Sequence, residues 1–228
     1  MKKIISIVLV LVCAFALFSC GEDDKVDVAS VITEINDMYN AISPSMVHTE
    51  MKQEFGEYTL TSWSTLKIGT VDGYQVAVFE SENQQLRDLE GGSGLEVLGV
   101  IETVSYKKEY HEEYGVRENN QKWDEDGESF IPETGANALT LTTATIQDFV
   151  TDSVNKTYSF KVLAANTEAV FGYAIDSDVD VTIAHSGADI IGVKLVYTVT
   201  DENVSKHPEI KVTIEASYSY ESQTITIN

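Results

Sequence analysis

Over three long stretches of this chain, apolar and polar residues alternate one for one. Only a half-buried strand puts every second side chain on the same side. Val47, Thr49, Met51 and Phe55 alternate with His48, Glu50, Lys52 and Glu54. After the Gly56-Glu57 turn, Tyr58, Leu60, Ser62, Ser64, Leu66 and Ile68 alternate with Thr59, Thr61, Thr65 and Lys67, with Trp63 adding a large ring to the second face. Asp72-Gly73 is a hairpin signal, and residues 74–82 continue with β-formers that are apolar on both faces. Near the C-terminus, Val179, Val181 and Ile183 alternate with Asp180 and Thr182, and Ser186-Gly187 turns the chain. Two further inward rows follow: Ile191, Val193, Leu195, Tyr197 and Val199, then Ile210, Val212, Ile214, Ala216, Tyr218 and Tyr220. Such rows predict a large antiparallel sheet with one apolar and one wet face.

One substantial helix is available to cover that apolar face. Asp27 can cap it, and Val28, Val31, Ile32, Ile35, Met38, Tyr39 and Ile42 recur at helical spacing before Ser43-Pro44-Ser45 ends it. Between the strand-rich parts, residues 86–94 read as a loop with Gly91-Gly92-Ser93-Gly94 at its tip, and 97–110 as extended chain. Residues 110–123 read as a hairpin turning at Asn119-Asn120. Residues 143–151 read as a short helix with Ile146, Phe149 and Val150 inward, 157–163 as a strand, and 166–171 as a capped helical turn. The expected fold is α+β: a large curved antiparallel sheet, a half-open barrel, with an N-terminal amphipathic helix and short helices covering one face. One long helix is too little cover for that sheet. Either the sheet curls on itself or something else fills the concavity.

The N-terminus constrains location rather than fold. Lys2 and Lys3 precede an apolar run from 4 to 18, and Ser19, a small residue, precedes Cys20. Gly21-Glu22-Asp23-Asp24 follows at once. The segment resembles the bacterial lipoprotein signal, which implies cleavage before Cys20 and acylation of its thiol. An ordinary secretory signal or an uncleaved anchor would need neither the cysteine nor the acidic run at that point. The expected organisation is a signal peptide at 1–19, an acidic tether at 20–27 and one β-rich domain at 28–228. The protein is then held on the cell membrane or outer membrane, outside the cytoplasm, by acyl chains. Losing Lys2 and Lys3 with the leader takes the formal charge from −22 to −24. A surface of that sign repels phosphate backbones, which argues against nucleic-acid partners. Cys13 leaves with the signal and Cys20 is consumed by acylation, so the domain keeps no cysteine for a disulfide, a zinc cluster or a thiol nucleophile.

The order of elements, an amphipathic helix running into a long-stranded meander, resembles the LolA-like superfamily of lipoprotein carriers and lipid-binding envelope lipoproteins, including the LppX/LprG-like group. Residues 109–127 are similar to the aromatic hairpin of such proteins. Residues 157–172 resemble their strand followed by a short helix, and 191–199 and 210–220 their closing strands. The resemblance covers roughly 28–228 at the level of pattern. It implies a half-open barrel with a helical lid, acyl chains held in an apolar concavity, and no catalytic residues.

The residues themselves offer no chemistry of their own. Asp176, Asp178 and Asp180 have the spacing that opens a calcium loop, but Val181 replaces its glycine and Gly187 its closing glutamate. Asp124, Glu125, Asp126 and Gly127 form another acidic turn, read like the first as solvated. His48, His111, His185 and His207 are scattered without zinc spacing. No Gly-x-Ser-x-Gly elbow occurs, and the 91–94 glycines lack the lysine of a phosphate loop. Tyr106, Tyr110, Tyr114 and Trp123 can stack on sugars, but suit cross-strand pairs better. The expectation is therefore a non-enzyme without metal or cofactor. Its partners are the membrane, through the anchor, and a lipid or other apolar ligand between helix and sheet. Ile32, Ile35, Tyr39, Leu60, Leu66, Leu195 and Tyr197 are the candidate ligand residues. The alternative is a closed-core surface module for protein or glycan.

Overall fold

The computed structural model describes residues 27–56, 58–87, 100–132, 140–200 and 209–227. The signal, Cys20, the tether before Asp27, Glu57, the 91–94 tip and His207 lie outside the described residues. Helix α1 (Val28–Asn40) begins where the Asp27 carboxylate accepts the Ala29 N–H at 3.2 Å. A first meander follows, of β1 (Met46–Phe55), β2 (Tyr58–Val71), β3 (Tyr74–Arg87), β4 (Val100–His111) and the short β5 (Gly115–Glu118). A second contains β6 (Ile146–Asp152), β7 (Thr157–Val162), a helical turn with α2 (Thr167–Phe171), β8 (Val179–Ser186), β9 (Asp189–Thr200) and β10 (Glu209–Ser219).

The two meanders join through β1 and β10, giving one ten-stranded antiparallel sheet in the order β5-β4-β3-β2-β1-β10-β9-β8-β7-β6. The sheet is not closed, and β5 and β6 are its edges. Register decides which side chains share a face. Tyr218 of β10 pairs with Val47, Val47 with Leu66, Leu66 with Phe79 and Phe79 with Lys108. The same face continues through Ala216, Val193 and Ile183 to Tyr158 of β7. It is the apolar face.

α1 packs on the β7–β9 part of that face. Ile32, Ile35 and Met38 belong to one buried cluster with Tyr158, Phe160, Val162, Val179, Val181, Ile183 and Ile190. Asn36, on the polar side of the helix, is not idle. Its Oδ1 accepts the Leu141 N–H at 3.0 Å and its Nδ2 donates to the Leu141 carbonyl at 2.9 Å. That two-way clamp carries Leu141 into the core.

Two expectations are corrected, both by β-bulges. Residues 146–152 form an edge strand, not a helix. Its register slips between Gln147 and Val150, with Asp148 at φ +52°. The extra residue turns Phe149 onto Tyr158 and Phe160, while Val150 is left 59% exposed. A bulge thus places residues three apart on the same side and imitates helical spacing. In β9 a shift opposite Ala184 and His185 puts Ile190 fully inside and leaves Ile191 42% exposed. The inward row therefore starts one residue earlier than alternation alone implies. The turn expected at Asn119-Asn120 is present, and a further one at 112–114 joins β4 to β5. Both asparagines have positive φ, and Val116 and Asp124 pair antiparallel across them. Gly115 is required there: its φ is +79°, and a Cβ would lie 1.9 Å from the Asp124 carbonyl oxygen.

Candidate ligand-binding site

A groove of about 470 Å³ opens on the apolar face of β1–β4, within the ~300–1,000 Å³ usual for small-molecule sites. Its lining is Val47, Thr49, Ser64, Leu66, Phe79, Tyr106, Lys108, Phe130 and Pro132. The reason for a depression lies in two neighbouring cross-strand rows. Val47, Leu66 and Phe79 form a tall apolar row. Beside it Thr49, Ser64 and Ser81 form a row of short side chains, ending at Tyr106. Phe130 and Pro132 close one side from the segment after β5. Tyr110 meets the Phe130 ring edge-on at 6.4 Å, and Lys108 Nζ lies 5.4 Å from its centroid.

The polar rim is small. Lys108 Nζ is 3.6 Å from Glu118, and Glu118 also hydrogen-bonds Tyr106. Burial, and then that carboxylate, push the Tyr106 hydroxyl up to about 12. The phenol therefore stays protonated and serves as a donor.

The candidate ligand residues share this face or the helix on it, but fall in three places. Ile32, Ile35, Tyr39, Leu195 and Tyr197 gather in the cluster under α1. Leu60 sits with Phe55, Tyr58 and Ile210 in a small cluster by the β1–β2 turn. Leu66 alone lines the groove. Ile35 is 0% exposed, so side chains fill the space around it. The other groove residues lay hidden from a reading along the chain, because the row that makes the floor runs across strands.

The candidate chemistry is dispersed. Asp178 accepts the Ala164 N–H, while Asp180 pairs with Lys161 at 2.9 Å. Among the described residues, no three His, Cys, Asp or Glu side chains gather as a metal site. The aromatic residues split across the sheet. Tyr106 meets Phe79 on the groove face, whereas Tyr114 stacks on His111 at 4.3 Å and meets Trp123 at 6.0 Å on the other. His48 Nδ1 lies 2.7 Å from Thr65 Oγ1, and its Nε2 3.3 Å from Glu50. That is triad order, with Glu50 exposed and the β1 and β2 strands paired with each other in the ladder. Among the described residues no helix is long and apolar enough to cross a membrane. No protein-family model matches the chain, and no curated protein matches it.

Proposed function

We propose that this chain is a lipid-anchored extracytoplasmic lipoprotein that catalyses no reaction and holds a lipid or other apolar ligand in the groove on β1–β4. The observation that carries the reading is the groove itself. It is an apolar depression on the face that α1 packs against elsewhere, and no residue of α1 lines it. In this reading the strands curve as a half-open barrel. The helix occupies one half of the concave face and the ligand the other. That is the arrangement which the resemblance to LolA-like carriers implies, with the ligand displaced from beneath the helix to beside it. An acyl chain would lie along Val47, Leu66 and Phe79, with its polar end at Tyr106 and Lys108.

Ser64→Trp tests the groove. The indole would fill the floor at a half-buried position, so its cost to stability is about 1 kcal/mol or less. Uptake of a fluorescent fatty-acid probe, and lipid copurifying in native mass spectrometry, should both fall to background. A wild-type protein free of lipid and blind to the probe would sink the proposal. The anchor is tested separately. Cys20→Ser should abolish metabolic labelling with a fatty acid and move the protein from the membrane fraction to the soluble one. Unchanged labelling and fractionation would remove the basis for the proposed location.

A second reading, a closed-core surface module for protein or glycan, is favoured by the solid packing around Ile35.

A further inference from the structure

On the opposite face of the same four strands Val76, Val78, Glu109 and His111 are buried, but the β1–β2 part is solvated and carries an uncovered tryptophan. Trp63 is 37% exposed, between Glu50 of β1 and Glu82 of β3 in the cross-strand register. The His48 ring flanks it at 6.3 Å. Next to it is a second groove, of about 310 Å³, lined by Trp63, Glu80, Ser105, Lys107 and Asn119 among others. The lining mixes donors and acceptors with one flat apolar ring.

The one lysine that lines this groove is already paired. Lys107 Nζ lies 3.7 Å from Glu80 and 3.3 Å from Glu109. Glu109 in turn accepts from Arg117 Nε at 2.5 Å. Glu80 and Glu109 are thus balanced by Lys107 and Arg117, while Glu50 and Glu82 beside Trp63 leave this face net negative, like the chain as a whole with its formal charge of −22. Glu109 is only 1% exposed, and its Oε1 has no well-aligned hydrogen bond. The Lys107 ammonium is therefore held between the groove and a buried carboxylate that needs it. A cationic ligand would have to compete with that lysine, and an anionic one would meet Glu50, Glu80 and Glu82. An uncharged ligand with an apolar face and many hydroxyls meets neither obstacle. Its ring C–H groups can lie on the indole, while its hydroxyls exchange hydrogen bonds with carboxylate, amide, hydroxyl and ammonium.

We propose that this face is a glycan-binding site for a neutral oligosaccharide, with Trp63 as its stacking platform and Glu80, Ser105, Lys107 and Asn119 as its polar contacts. The site opens on the other face from the apolar groove, with Tyr106 lining both, does not depend on that groove's having a ligand, and gives the interaction reading a place.

The test uses the full-length protein with Trp123→Phe, which leaves Trp63 as the sole tryptophan of the two, in a detergent without a sugar headgroup. The probes are cellotetraose, maltotetraose, mannotetraose and N-acetylchitotetraose, with tetralysine as the cationic competitor. At least one oligosaccharide should shift the Trp63 emission saturably. By calorimetry, Trp63→Ala should weaken that binding by about tenfold or more. Ser105→Phe, which fills the groove from the neighbouring strand, should do the same with an unchanged far-UV spectrum. Ser64→Trp should leave it intact, separating this site from the groove on the other face. The proposal is overturned if none of the oligosaccharides binds, if tetralysine alone does, or if binding survives both groove substitutions.

Discussion

Glu109→Ala should cost the fold about 3–5 kcal/mol, the range for removing one partner of a buried ion pair. The carboxylate is 1% exposed, and the change strands Arg117, itself only 11% exposed, between β4 and β5. Arg117 keeps one favourable contact, its guanidinium carbon 4.6 Å from the Trp123 ring centroid, which argues for the lower end of the range. Lys107 adds little, since it is partly solvated and still has Glu80. Chemical denaturation followed by tryptophan emission would measure the loss, and a cost below 1 kcal/mol would show that the pair is solvated.

The same residue sets a pH limit. Burial pushes the Glu109 carboxyl up, but the Arg117 and Lys107 hydrogen bonds and charges outweigh it and hold it below its usual range. Its folded value lies under the unfolded one, so its contribution is complete above the unfolded value of about 4.3 and fades as pH falls through the folded one. Glu109→Gln should therefore flatten the acid limb of the stability curve while lowering stability at neutral pH. An acid limb identical to the wild type's would assign it to other carboxylates.

Much of this geometry is written along the chain, and some is not. Val179, Val181 and Ile183 alternate without interruption, and all three are buried. Asp72-Gly73 joins β2 to β3 with Asp72 at φ +52° and Gly73 at +92°. These features are local, and local steric rules read them. The failures are where a single inserted residue reverses the parity of a strand, at Asp148 and at Ile191. No pattern rule distinguishes such a bulge from a helix or an exposed isoleucine. The joining of β1 to β10 is also silent, because residues such as Val47 and Tyr218 meet across most of the chain's length. Both grooves depend on that register or on the β2–β4 ladder. The row Thr49, Ser64, Ser81 reads as three unrelated polar residues until the strands are aligned. Glu109 offers no sequence signal of burial, since it is one acid among the 37 Asp and Glu residues of the chain.

Ile35→Ala is expected to cost about 2–5 kcal/mol, because the side chain has no exposure and its neighbours are rigid strands on one side and the helix's own Ile32 and Met38 on the other. A domain with about 5–15 kcal/mol in total loses a large share of its margin. α1 has few other ties to the sheet, and the Asn36 clamp holds it to Leu141 rather than to a strand. The measurable result should be faster amide exchange throughout α1 and 141–146, ahead of β2 and β3. Ile35→Trp separates a filled core from an open one at the same position. The packing predicts strain of about 1–3 kcal/mol and unchanged uptake of a fatty-acid probe. Ser64→Trp should behave in the opposite way, sparing stability and abolishing uptake. If Ile35→Trp were the variant that lost the probe while keeping its melting temperature, the ligand would lie under the helix and the groove on β1–β4 would be an empty surface.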